Sequence, residues 1–115
     1  MADAALLKKL QVKAGRSLAV MHPPTGFSAG PVVDVAHADV LLLFTPTRAA
    51  LISCLGGLRA RAEAIVWVAY PKLTSKLAGD MHRDVIRGLV PDYGFEVVAA
   101  VAIDADWSGL RLKRV

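Results

Sequence analysis

One apolar stretch, residues 64–70 (AIVWVAY), constrains the fold of this chain more than any other. All of its side chains are apolar or aromatic, without the polar and apolar alternation of a strand that has one exposed face. We therefore predict a β-strand that is buried on both faces, in the middle of a sheet. Pro71 ends this strand, because proline has no N–H to donate to a neighbouring strand. Lys72 is then expected at the carboxyl edge of the sheet, where open α/β sheets place their ligands.

The size and composition of the chain indicate one folded domain. Its 115 residues are enough for a single hydrophobic core, so we predict one α/β domain over residues 1–115. Hydrophobic residues make up 55% of the sequence, which excludes a disordered chain and favours a well-covered sheet or an apolar contact surface. A chain this small and apolar is also expected to form a homodimer, because exposed apolar patches seek partners.

Charge and cysteine content narrow the classes of partner and the location. The net charge of +4, from 14 basic and 10 acidic residues, permits an anionic partner but does not demand one. The basic residues are spread out, so nucleic-acid binding through Arg111, Lys113 and Arg114 is only a weaker alternative. The single cysteine, Cys54, cannot form an internal disulfide, and no apolar stretch has the length of a signal peptide or a membrane span. We expect a cytoplasmic protein that makes no contact with a membrane.

Strands and helices are predicted to alternate along the chain. Apolar runs predict the other strands, at residues 17–21, 31–35, 39–44, 95–103 and 110–115. Apolar residues at helical spacing predict helices over residues 3–11, from Thr47 to about Arg61, and from an Asp80 cap to Leu89. Glycines at 56 and 57 mean that the second helix either packs closely there or ends early.

The fold class predicted from this order is α/β. Strands that alternate with helices pair in parallel, whereas residues 110–115 alternate apolar and basic side chains as an antiparallel edge strand does. Residues 104–109 are predicted to form the turn before it. The prediction is a small three-layer Rossmann-like, mostly parallel sheet with an antiparallel C-terminal edge strand.

This order of elements resembles that of class I S-adenosylmethionine-dependent methyltransferases. The segment LLKKLQVKAGRSLAVM (residues 6–21) is similar to the start of that fold, and the elements from Asp39 onward are similar to its carboxyl half. The helix and strand pairs that lie between these two parts in methyltransferases are mostly missing here. The resemblance implies a truncated methyltransferase-like sheet.

One segment departs from the methyltransferase pattern. Those enzymes have a glycine-rich turn after the first strand, which lets the backbone approach the cofactor. Residues 22–26 (HPPTG) occupy this position here, and their two prolines have no N–H groups with which to form such a cradle. No cofactor is therefore expected.

The whole chain also resembles a small bacterial family described as domain of unknown function 3052. The proline-containing exit of the first strand carries this resemblance, together with the segments LKKL (7–10), ADV (38–40), YPK (70–72) and WSGL (107–110). The last two segments are the most specific. The resemblance implies a bacterial protein with a methyltransferase-like fold, and it implies no activity.

Lys72 is the first candidate for a ligand-binding residue. It follows the central strand and precedes Thr74, Ser75 and Lys76, so a charge and hydroxyl donors are available to hold a phosphate or a carboxylate. The alternative is a solvated loop lysine. The same edge is predicted to include Arg48 and Thr45, which lie just after the neighbouring strand, where a helix start favours an anion. For Arg48 the alternative is an exposed helix residue.

Trp107 and His22 complete the predicted ligand site. The Trp107 indole lies in a predicted turn, where it either stacks on a ligand ring or caps the core. His22 ends the first strand and is a candidate proton carrier, but no carboxylate or serine is placed by sequence to orient it. A metal site is not expected, because the spacings of His22, His37, His82 and Cys54 match no ligand motif.

The sequence therefore predicts a non-catalytic binding or interaction module for a small anionic ligand or a protein partner. The alternative is a small enzyme in which His22 acts as a general base and Lys72 anchors an anionic substrate.

Overall fold

The computed structural model describes residues 4–13, 15–27, 33–74, 76 and 79–115. The strands in this part of the chain are β1 (Leu18–Met21), β2 (Val40–Phe44), β3 (Ile65–Pro71), β4 (Phe95–Ala102) and β5 (Trp107–Arg114). The α-helices are α1 (Ala4–Lys9), α2 (Arg48–Gly56) and α3 (Arg83–Leu89), and 3-10 turns occur at Val35–His37 and Val90–Tyr93. The strands form one five-stranded sheet in the order β1-β2-β3-β5-β4.

The central position predicted for β3 is confirmed. β3 pairs in parallel with β2 and antiparallel with β5, and its residues 66–69 are all buried. β1 and β2 are also parallel, whereas β4 and β5 are antiparallel. The sheet is thus mixed, with two parallel and two antiparallel pairings, rather than mostly parallel.

The antiparallel direction predicted for the final strand is confirmed, but its position at the sheet edge is wrong. β5 lies between β3 and β4, so β4 is the outer strand on that side of the described sheet. β5 is well suited to an inner position because Leu110 and Leu112 are buried, while Lys113 is exposed near the end of the strand. The strand also begins earlier than expected, since Trp107 already pairs with Pro71.

The two faces of the sheet are covered unequally. On one face, α2 and α3 pack through residues that include Leu51, Leu55 and Ile86. On the other face, the described residues include one helix, the six-residue α1, which packs next to Leu10, Trp67 and Phe44. A three-layer Rossmann-like arrangement therefore stays a prediction. No helix in the described ranges is long and apolar enough to span a bilayer.

Three predicted local features differ from the structure. The strand expected at residues 31–35 is not formed in its described part, because residues 35–37 make a 3-10 turn; residues 31 and 32 lie outside the described residues. α2 ends at Gly56, the earlier of the two ends that the glycines allowed. Asp80 does not cap α3, which starts after His82; instead, the Asp80 carboxylate accepts a hydrogen bond of 2.9 Å from the Arg48 N–H at the start of α2.

Asp39 links two segments at the amino edge of the sheet. Its carboxylate accepts hydrogen bonds from the N–H and the hydroxyl of Ser17, at 2.9 and 3.2 Å, and pairs with the Arg61 guanidinium. The Ser17 N–H, followed by Arg61, lowers the pKa of Asp39 below its usual value of 3.8.

We expect Asp39→Asn to destabilise the protein at neutral pH, with a difference from wild type that shrinks in acid. A carboxyl group whose folded pKa is depressed adds stability above its unfolded pKa, and this stability is lost as pH falls through the folded pKa. The stability difference between wild type and Asp39→Asn should therefore shrink at pH values below 3.8. Urea unfolding over a pH series measures the effect, with Glu63→Gln as the control because Glu63 lies farther from Arg61, at 3.7 Å. A difference that does not change with pH would contradict the prediction.

Candidate functional site

A cleft of about 300 Å³ opens at the carboxyl edge of the sheet, where β3 ends, β5 begins and α3 starts. Tyr70 lies opposite Ser108 in the β3–β5 register, which places both hydroxyl-bearing side chains on the same face. The Lys72 N–H donates a 2.8 Å hydrogen bond to the Asp106 carbonyl, and this bond holds the Lys72 backbone beside the start of β5. The residues that line the cleft are Tyr70, Lys72, Leu73, Thr74, His82, Arg83 and Ser108.

The lining of this cleft is rich in positive charge and hydrogen-bond donors. Lys72 and Arg83 are basic side chains, and His82 adds an imidazole with a ring N–H donor. None of the described lining residues is a carboxylate. Within the described ranges the ion pairs are those of Arg61, so no described carboxylate pairs with Lys72 or Arg83. A ligand with several anionic oxygens matches this set of donors.

Two residues predicted for the site, Thr45 and Trp107, lie in the protein interior. Thr45 is 0% exposed, and its N–H and hydroxyl both donate to the Ala69 carbonyl, at 2.8 and 2.9 Å. Trp107 is 6% exposed and packs edge-to-face against Phe44, with 5.0 Å between ring centroids. Neither side chain lines the cleft.

Arg48 and Ser75 do not contribute to the described cleft. Arg48 is exposed at the start of α2 and does not line the cavity around Lys72. Ser75 lies outside the described residues, although Thr74 beside it lines the cleft. Of the predicted site residues that the structure describes, Lys72 is thus the one that lines this cleft.

His22 opens into a different cavity, of about 340 Å³, next to Phe44 and the α2 residues Ser53 and Cys54. The backbone of His22 has a φ of 53°, in the left-handed region that non-glycine residues rarely adopt. Burial raises the pKa of the Cys54 thiol, which disfavours the nucleophilic thiolate. The strands that precede His22 and Lys72 have β2 between them, a separation of about 10 Å. The single predicted site is therefore divided between two cavities.

Sequence reasoning missed most of the cleft. Arg83, Tyr70, His82 and Ser108 were not among the residues predicted to bind a ligand. The signal for Ser108 appears only when β5 is known to pair with β3, because this register brings it opposite Tyr70. In the described residues, no group of three or more His, Cys, Asp or Glu side chains is placed to hold a metal ion.

The turn after β1 does not fit a glycine-rich cofactor cradle. Pro23 and Pro24 have no N–H groups, and the Phe27 N–H is already donated to the Pro24 carbonyl at 3.1 Å. Few backbone donors are left in this turn for an adenosyl or phosphate group.

Comparison with solved structures finds similar chains at low sequence identity. This chain is similar to a structure of LepI in complex with SAM, with a TM-score of 0.57 and 11% identity, over 96% of this chain and 39% of the LepI chain. It is also similar to a LepI variant in complex with SAH and a substrate analogue, with a TM-score of 0.57, 12% identity and the same coverage. The chain thus spans about two fifths of the LepI chains that it matches.

At 11 and 12% identity, this likeness to LepI concerns the fold alone. Neither a family model nor a curated protein matches the chain. The resemblance to the bacterial domain family therefore stays a prediction.

Proposed function

We propose that this chain is a non-catalytic binding module that holds a small anion, of the phosphate or carboxylate class, in the cleft around Lys72. The observation that carries the proposal is the joint presence of Lys72, Arg83 and three hydroxyl groups around one cleft, whose described lining contains no carboxylate. Ammonium and guanidinium groups bind anionic oxygens by charge-assisted hydrogen bonds. The cleft volume of about 300 Å³ is at the lower end for small-molecule sites, which favours a small ligand.

Binding rather than catalysis is favoured by what surrounds the candidate proton carriers. A general base needs a partner that orients it, and the lining residues that the structure describes offer His82 no carboxylate. An enzyme that uses both His22 and Lys72 requires one substrate to reach two cavities. We further propose that the chain belongs to the bacterial family that its sequence resembles. The cleft around Lys72 would then be the ligand site of this family member.

We expect inorganic phosphate to bind at this cleft. Its affinity should fall when the basic side chain of either Lys72 or Arg83 is replaced by an uncharged one. Lys72→Met and Arg83→Gln should each raise the dissociation constant about three- to tenfold, since solvent screens exposed charges. An NMR titration of the amides with phosphate, at an ionic strength held constant with sodium chloride, measures affinity and position together. The shifts should centre on Tyr70, Lys72 and Ser108.

The matched control for this titration is Arg87→Gln. Arg87 lies on the same helix as Arg83 and is exposed, but it does not line the cleft. If Arg87→Gln weakens phosphate binding as much as Arg83→Gln does, phosphate responds to the net charge of the protein rather than to a specific site. Shifts that are absent, or that centre on the His22 cavity, would overturn the proposal.

A further inference from the structure

The outer strand β4 is unusually apolar for the edge of a sheet. Residues 97–103 (VVAAVAI) contain no charge, proline or glycine, which are the devices that commonly protect an edge from pairing with another chain. Val98 is 46% exposed, and Ala99, Ala100 and Ala102 are exposed as well. Within the described part of the chain, β4 pairs with β5 on one side and with no strand on the other.

The register of β4 shows which backbone groups face its open side. The Ile103 N–H donates to the Trp107 carbonyl at 3.0 Å, and hydrogen-bonded pairs alternate along an antiparallel ladder. Val101 with Gly109 and Ala99 with Arg111 therefore bond within the chain. Ala100 and Ala102 are the alternate residues, so their N–H and C=O groups point away from β5.

We infer that β4 is a homodimer interface in which two copies pair antiparallel about a twofold axis at Val101. In this register, Ala100 of each copy lies opposite Ala102 of the other, and the outward peptide groups form four hydrogen bonds between the copies. Val101 then meets Val101 of the second copy, and Ala99 lies beside Ile103. The inference does not depend on the anion-binding cleft.

The features of this strand select a second copy of the chain as the partner. Every side chain paired in this register is small or β-branched and uncharged, so the strand is complementary to itself and no charge is buried without a partner. The β-bulge, between Val97 and Ala99, lies at the end of the paired segment and leaves residues 99–102 in regular register with β5. A bulge at this place bends the strand away beyond the contact, which limits pairing to a short, closed dimer instead of a fibre.

Sedimentation equilibrium of the full chain, over a range of protein concentrations, tests the interface. We expect wild type to dimerise, and Ala102→Lys or Ala100→Glu to raise the dimer dissociation constant at least about tenfold. The double variant Ala100→Glu with Ala102→Lys should recover to within about threefold of wild type, because each glutamate then faces a lysine of the other copy. The control is Ala105→Lys, which places the same exposed charge in the turn outside the paired segment.

Circular dichroism of each variant shows that a loss of dimer is not a loss of fold. In wild type, amide hydrogen exchange at Ala100 and Ala102 should slow as protein concentration rises, whereas exchange at Val101 should not depend on concentration. A wild-type chain that stays monomeric overturns the inference. A dimer that tolerates Ala102→Lys, or a double variant that stays monomeric, overturns the proposed register. Pairing with a strand of another protein, in place of a second copy, would likewise appear as a monomeric wild type.

Discussion

Replacing Trp67 by alanine is expected to lower the free energy of unfolding by about 3–5 kcal/mol, the usual cost of a buried tryptophan. Trp67 is 1% exposed in the centre of β3, and its indole N–H donates a 2.9 Å hydrogen bond to the Leu10 carbonyl. This bond uses a carbonyl that the end of α1 leaves without an intrahelical partner. Since small domains have only about 5–15 kcal/mol of stability, Trp67→Ala should remove a large fraction of the stability of this chain.

Trp67→Phe separates the hydrogen bond from the ring packing. It keeps an aromatic ring but removes the donor, so we expect a loss of about 1–3 kcal/mol. Urea unfolding followed by far-ultraviolet circular dichroism measures both variants. Amide exchange in α1 should speed up in Trp67→Phe more than exchange in α3, because six residues do not form a stable helix without tertiary contacts. An alanine variant that unfolds at the wild-type urea concentration would show that the core does not depend on this residue.

Trp107→Ala is expected to be similarly costly, at about 3–5 kcal/mol, because this indole packs in the core rather than on a ligand. Trp107 is buried against Phe44, which itself packs edge-to-face on Phe27 with 4.8 Å between centroids. Aromatic pairs of this kind add about 0.5–1.5 kcal/mol beyond the area that they bury. Urea unfolding measures the loss.

Trp107→Phe distinguishes a core residue from a ligand contact. It retains most of the aromatic packing, so the variant should stay folded and bind phosphate with wild-type affinity in the same NMR titration. If Trp107→Phe stays folded but its phosphate affinity falls tenfold or more, Trp107 contacts the ligand, and the prediction is wrong. The backbone position of Trp107 matters for the cleft in either case, because Ser108 follows it on β5.

The position of Lys72 could be predicted from sequence because one strand was enough to define it. Lys72 was placed at the carboxyl edge because a doubly buried strand followed by proline has few alternatives. Arg48, Thr45 and Trp107 were assigned to the same edge by their place in the chain, but sequence position does not say whether a side chain turns toward the core or the solvent. Thr45 turns inward and donates to Ala69, and Trp107 turns inward onto Phe44.

The sequence by itself determined most of the element types, the doubly buried central strand and the antiparallel direction of the last strand. These follow from local patterns, namely apolar runs, helical spacing and proline or glycine breaks. Two features were decided by the tertiary structure alone. β5 lies between β3 and β4, and the Asp80 carboxylate accepts a hydrogen bond at the start of α2 instead of capping α3. An apolar run such as residues 97–103 is compatible with an inner strand and with an exposed edge strand. The sequence pattern shows the type of each side chain, but it does not show which neighbouring segment covers the strand. Strand order and the cleft between Lys72, Arg83 and Ser108 depend on which distant segments pair, and this is settled by the packing of the whole chain.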